Sequence, residues 1–377
     1  MKNKGKQIKR SLSALLAIVL IISLFANIPV SASELNDFSL EIIYDTVGKE
    51  LQEKVDILLT TEDKADAQTR ETMYEVDSEE YLIAQYRERL AVKGETYNSS
   101  RTEFEVENQY TDEQGLFHVV VNEITFLTIA ENGVETGYSA RHELIYEKTN
   151  GVWHMLEDRQ LEPTGLLPLH QAYQFVYGNE NGKMPYEEAE RPITTSSSSD
   201  EIIASIERPT NMIAEKVMTR SGYNYSAMAT YLETYWEDYN PAYRDFSGDG
   251  GDCTNFVSQA LKAGGWEDDY GWYRSSDNWW YNSSNQTWSW INVDYLGEFA
   301  RSSGRCTMLT NVWYLGIGDF LQVQPASSTS KIHSMMVSYR ADGVPYFTYH
   351  TTNRWRRSMN QVLEDWGTDA LYYAYRT

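Results

Sequence analysis

The run Gly251-Asp252-Cys253-Thr254-Asn255-Phe256-Val257-Ser258-Gln259-Ala260-Leu261 puts a thiol where its chemistry is most useful. Cys253, Phe256, Val257, Ala260 and Leu261 recur at i, i+3, i+4, i+7 and i+8, so the spacing predicts a helix with one inward stripe, headed by Cys253. At a helix start the unpaired N–H groups and the macrodipole favour negative charge, which lowers a thiol's pKa toward the reactive range. The preceding loop, Ser247-Gly248-Asp249-Gly250-Gly251-Asp252, suits neither helix nor strand and leaves space for a substrate backbone. The same N–H groups are placed to stabilise an oxyanion as it forms. A structural cysteine needs none of these features together. The other cysteine, Cys306, lies outside any motif and reads as a buried thiol; the competing expectation is a disulfide between the two.

A thiolate nucleophile needs a base, most often histidine. From Tyr223 to the end there are two, His333 and His350. His333 opens the strand-like run to Tyr339, and Asp342-Gly343 is a two-residue hairpin signal that turns the chain back into Val344–Thr352. With Ala341 opposite Val344 in an unbroken register, Met335 faces His350, so both histidines lie on one face, diagonal neighbours within roughly 7 Å. His350 is then the orienter of His333; Asn353, which points to the other face unless a bulge intervenes, is the alternative third member. Either histidine can instead sit satisfied in a packed sheet.

The elements that must position these groups divide the chain. Lys2, Lys4, Lys6, Lys9 and Arg10 precede an apolar run, Leu12–Ile28, and Val30-Ser31-Ala32, so residues 1–32 read as a signal peptide that leaves an exported chain without stable membrane association. An uncleaved anchor is the competing reading. Residues 33–181 read as an accessory α+β domain of unknown function. Helical spacing at Lys49–Leu59 and Ser78–Lys93 precedes four alternating runs separated at 112–115, 131–133 and 149–151, which predicts an antiparallel meander. In outline it resembles nuclear-transport-factor-like accessory domains. Residues 182–222, with Pro185, Pro192, Pro209 and the hydroxyl run Thr194–Ser199, read as a linker. Residues 223–377 form the domain that carries the cysteine.

Charge excludes one class of partner. The chain has 55 acidic and 32 basic side chains, a formal charge of −23, and loss of the five basic residues of the leader takes it to −28. Such a chain repels phosphate backbones, so nucleic acid is excluded. Asp245, Asp249 and Asp252 do not match a calcium-loop spacing, and Asp252 reads as a cap on the Cys253 helix; no metal and no cofactor are expected. Asn278-Trp279-Trp280-Tyr281-Asn282 with Trp288 and Trp290 suits either core packing or an aromatic wall for a glycan or peptide.

Asp252-Cys253-Thr254-Asn255-Phe256-Val257-Ser258-Gln259, then Gly318-Asp319 before a strand, then His333-Ser334-Met335-Met336-Val337 resembles the putative amidase domain family of exported Gram-positive proteins. It is more distantly similar to NlpC-type cell-wall peptidases and CHAP amidases. The resemblance covers Tyr223 to Thr377, extended by Asn240-Pro241-Ala242-Tyr243 and Tyr349-His350-Thr351, and leaves out the N-terminal half. It implies an α+β fold with a papain-like core, a cysteine-headed helix packed on an antiparallel sheet. It also implies Cys253 as nucleophile and His333 as base, with the third position on His350 or Asn353. The function implied is secreted cysteine amidase or peptidase chemistry in the extracellular or cell-wall space, on an amide or peptide substrate such as peptidoglycan. A catalytically inactive papain-like module that binds wall fragments or a partner protein is the alternative.

Overall fold

Two-residue reversals that need positive φ fix the hairpins. Asn150 and Gly151 have φ of 55° and 83°, and Asp342 and Gly343 have 48° and 77°, the left-handed pair that matches the twist of the strands they join. The computed structural model describes residues 37–59, 74–177, 201–210 and 222–377. The expected leader and much of the expected linker lie outside the described residues. Tyr44–Thr377 forms one compact unit, and of the unit before it, Met1–Ile43, only the opening residues of the first helix are described.

Helix α1 spans Asp37–Asp56 and α2 spans Glu79–Val92. Ser78 caps α2 by accepting from the Tyr81 N–H at 3.2 Å; of the face the spacing predicts, Tyr81, Leu82, Tyr86 and Leu90, all but the half-buried Leu82 are buried, and Ile83 and Ala84 are buried as well. Strands β1 (Tyr97–Thr111), β2 (Phe117–Ile129), β3 (Glu135–Thr149) and β4 (Val152–Gln160) make the expected antiparallel meander. Helix α3, Leu169–Tyr177, ends this half.

The second half runs α4 (Tyr225–Tyr235), α5 (Cys253–Ala263), the short pair β5 (Tyr281–Asn282) and β6 (Asn285–Gln286), α6 (Trp288–Ile291) and α7 (Val293–Ser302). Then come β7 (Thr307–Leu309), β8 (Phe320–Gln324), β9 (His333–Ala341), β10 (Val344–Tyr349), β11 (Arg354–Ser358), α8 (Met359–Trp366) and β12 (Leu371–Arg376). The fold is α+β, mixed helix and antiparallel sheet. One sheet runs through both halves in the order β1-β2-β3-β11-β10-β9-β8-β12-β7, with β4 also paired to β3. Its seam is short: Arg354 pairs Tyr138 and Trp355 pairs Gly137. Sequence reading treats the halves separately because nothing local foretells pairing between strands some 200 residues apart.

The segment 201–210, expected as linker, is docked. The Ala204 N–H bonds the Tyr372 carbonyl at 2.8 Å, Ser205 bridges Asn311, and the Trp313 indole donates to the Ile206 carbonyl at 2.8 Å. Backbone pairing and one buried alanine hold a stretch whose composition carries little apolar area.

Helix α5 is more deeply buried than a one-stripe helix. Phe256, Val257, Ala260 and Leu261 are fully buried, each worth about 1–3 kcal/mol of apolar burial. Asn255, Ser258 and Gln259 are buried too. The tryptophan-rich loop explains this. The Trp290 indole donates to Asn255 Oδ1 at 2.8 Å, the Ser258 hydroxyl to the Trp290 carbonyl at 2.8 Å, and the Trp279 indole to Ser258 Oγ at 3.2 Å. Indole N–H groups let a large apolar body cover a polar helix face without orphaning its donors and acceptors. The aromatic run is therefore core, since Trp279, Trp280 and Trp290 are all buried. The exposed aromatics nearby are Tyr270 and Trp272.

One irregularity decides the site. Strand β9 meets β10 in the expected register at Ala341–Val344, Arg340–Pro345 and Tyr339–Tyr346, but the next pairs are Val337–Phe347 and Met336–Thr348. Ser338 is the extra residue of a β-bulge. A one-residue slip moves every later side chain to the other face, so the bulge separates the two histidines that an unbroken register brings together.

Candidate functional site

The first turn of α5 lies against the start of β9. Thr254 Oγ1 and Ser334 Oγ are 3.0 Å apart, and the Cys253 sulfur lies 3.8 Å from Thr254 Oγ1 with the Ser334 backbone N–H directed at it. Cys253 and Cys306 are both free and buried, so neither is spent in a disulfide. Burial pushes the Cys253 thiol up from its ordinary value; the Ser334 N–H and the Thr254 hydroxyl pull it down, and the nearby Asp252 carboxylate pushes it up. The depressed value expected from the helix start is not what results. Desolvation of a fully enclosed sulfur outweighs a few N–H dipoles. Cys306 is pushed further up, again by burial first and then by Asp319.

Alternation along β9 sends Ser334 toward α5 and His333 to the opposite face. The His333 ring packs 4.8 Å from the Tyr349 ring and 5.2 Å from that of Trp366 in α8. Burial, and then the positive charge of Arg354, push it down to about 3, so the ring is neutral, and its buried Nε2 has no hydrogen-bond partner. No hydrogen bond joins either histidine to the Cys253 sulfur.

His350 follows β10 after the bulge and points to the α5 face. Nδ1 is 2.6 Å from Asp252 Oδ2 and Nε2 is 2.7 Å from the Tyr235 carbonyl. The expectation that His350 orients His333 is therefore corrected: with both nitrogens engaged elsewhere, His350 serves Asp252. Asn353 does not replace it, because its amide accepts from the Tyr239 hydroxyl at 2.9 Å and donates to Ser139 Oγ at 3.3 Å. Asp252 is not a side-chain cap either. Its Oδ1 accepts from the Phe246 N–H at 3.0 Å and from the Asn255 amide at 2.8 Å, closing the glycine loop onto the helix.

Beside that loop lies a cleft of about 600 Å³ bounded by Gly248, Gly250, Gly251, Thr351, Arg141 and Glu237. Burial, followed by repulsion from Asp238, pushes the Glu237 carboxyl up to about 7. A side chain on Gly251, at φ 108°, would meet Thr351 Oγ1 at 3.1 Å, so glycine lets the hairpin end approach the loop. Sequence reading quoted Ser334 and Thr351 within motifs but gave no role to them or to Tyr239. The adjacency of Ser334 and Thr351 to the two histidines is the one signal that marks them. Among the described residues no group of three or more His, Cys, Asp or Glu side chains is arranged to hold a metal ion.

Neither Cys253 nor His333 lines that cleft, and the class of the domain comes from comparison with known families. Residues 222–374 match the family model described as "Putative amidase domain", which supports that family and, at a general level, amide hydrolysis for this part of the chain. No curated protein and no solved structure matches.

Proposed function

We propose that the chain is an exported cysteine amidase or peptidase that cleaves amide bonds through the Cys253 sulfur, with His333 as base. The observation that carries this reading is the seating of Cys253 at the start of an 11-residue helix, with the N–H of the residue after His333 directed at its sulfur. The thiol rests protonated, so attack needs a proton acceptor; held down to about 3 in its apolar pocket, the His333 ring is a weak base, and it gains basicity only on leaving that pocket. The His333 ring must come to the sulfur's side of the strand start when substrate binds. The thiol proton passes to His333 as sulfur bonds the carbonyl carbon. The oxyanion is stabilised by first-turn N–H groups, and the departing amine takes the proton from His333. Water then cleaves the thioester, releasing a carboxylic acid and regenerating the thiol. The family likeness and the basic, apolar N-terminus favour peptidoglycan stem peptides in the cell-wall space as the substrate class.

The separation of His333 from the sulfur favours a second reading, an inactive module that holds wall fragments. Peptidoglycan stem peptides incubated with the wild-type chain and with Cys253→Ser decide between them. New amino groups released by the wild type, with a loss of at least about 10³-fold in the variant, support the cysteine mechanism. Equal release by both removes Cys253 from the chemistry, and binding without release by either supports the module.

A further inference from the structure

The His350 ring is held on four sides. It stacks between Tyr239 and Phe256 with centroids 3.7 and 3.6 Å away and planes within 7°, and both nitrogens are tied, one to Asp252 and one to the Tyr235 carbonyl. A second tie runs beside it, since Thr351 Oγ1 accepts from the Asp252 N–H at 2.8 Å. The end of the β9–β10 hairpin thus grips both the side chain and the backbone of the residue that precedes Cys253.

The grip is kept at a cost. Thr351 and Thr352 have φ of 62° and 63°, where a β-branched residue is disfavoured by about 1–2 kcal/mol each. Backbone in such regions persists only where its surroundings over-determine it, and it gathers at functional sites.

We propose that His350 is a positioning residue for Cys253: by donating to Asp252 it fixes the glycine loop and keeps the Asp252 carboxylate engaged away from the sulfur. This rests on Cys253 being the nucleophile. A carboxylate beside a thiol opposes the thiolate, and a donor on Oδ2 holds that charge toward the imidazole instead. Released from the ring, Asp252 is a buried anion next to the reacting atom, and the loop it closes through Phe246 and Asn255 loses one of its anchors.

The two ring nitrogens can be tested separately. An asparagine at 350 places its amide nitrogen where Nδ1 stands and keeps the donor to Asp252. A glutamine places its amide nitrogen where Nε2 stands and keeps only the donor to Tyr235. The readout is the rate at which iodoacetamide alkylates Cys253 in the full chain near neutral pH, mapped by mass spectrometry with Cys306 as internal reference. His350→Asn is expected to stay within about threefold of wild type while His350→Gln falls about tenfold, the change in thiolate fraction that one pKa unit brings. Equal losses in both would assign the ring to packing alone, and wild-type rates in both would leave it without a role; either overturns the proposal. If the histidine variants do not fold, Thr351→Val serves: slower alkylation supports the grip on Asp252, and an unchanged rate overturns it. A wild-type chain in which Cys253 reacts no faster than Cys306 would fail in a different place, at the nucleophile itself.

Discussion

Ser334 meets Thr254 hydroxyl to hydroxyl at 3.0 Å, tying the start of β9 to the first turn of α5. The contact sets the distance between the strand that carries His333 and the helix that carries Cys253. It also fixes which way each must face: with Ser334 turned toward the helix, His333 is turned from it.

Gly251→Ala tests the close approach of loop and hairpin. The added methyl group meets Thr351 Oγ1 at 3.1 Å, so that side chain must give way by a few tenths of an ångström, and the backbone at φ 108° is strained for any residue but glycine. The variant is expected to lose about 1–3 kcal/mol of stability by denaturant titration and most of its amide-cleaving activity.

His333→Phe separates the ring's chemistry from its packing against Tyr349 and Trp366. In the folded chain His333 is pushed down to about 3, below its unfolded value, so the unfolded state binds the extra proton between those values. The native histidine therefore costs stability as pH falls from about 6.5 toward 3, and that cost is absent above pH 7. Phenylalanine removes the group, so the variant's melting temperature should gain on wild type at pH 5 relative to pH 8, while activity is lost at both. A pH-independent difference in melting temperature would contradict the buried neutral imidazole.

The meander carries a buried charge cluster outside the site. His142 Nδ1 lies 2.8 Å from Asp158 and Nε2 2.9 Å from Glu123, while Lys54 reaches Asp158 at 2.6 Å. Burial pushes His142 down, but hydrogen bonds to the two carboxylates, Asp158 then Glu123, prevail and raise it to about 10. The stability it supplies is fully present below its unfolded value near 6.5 and is lost as pH rises toward 10. His142→Leu leaves Glu123 and Asp158 facing an apolar group in the interior and is expected to cost about 3–5 kcal/mol at pH 6, read from denaturant midpoints. The deficit should shrink at pH 10, and one that grows with pH would contradict a charged ring.

Local chemistry made much of the fold legible. Asn150-Gly151 and Asp342-Gly343 specify their hairpins because tight reversals need positive φ, and the stripe from Cys253 to Leu261 specifies α5 because its spacing matches the helical period. The cysteine at the head of that helix follows from the same spacing.

The facing of His350 was decided only in three dimensions. The Ser338 bulge leaves no mark in the sequence, yet it turns His350 toward Asp252 and away from His333. Tertiary contacts likewise bring Thr351 to Gly251 and the Tyr235 carbonyl to the His350 ring. Burial, too, is a collective property: a helix start favours a thiolate, but the packed residues around Cys253 desolvate the sulfur enough to reverse that preference. Sequence determined which reactive groups the chain carries and which elements hold them, because those depend on neighbours in the chain. Register and packing determined which of them meet.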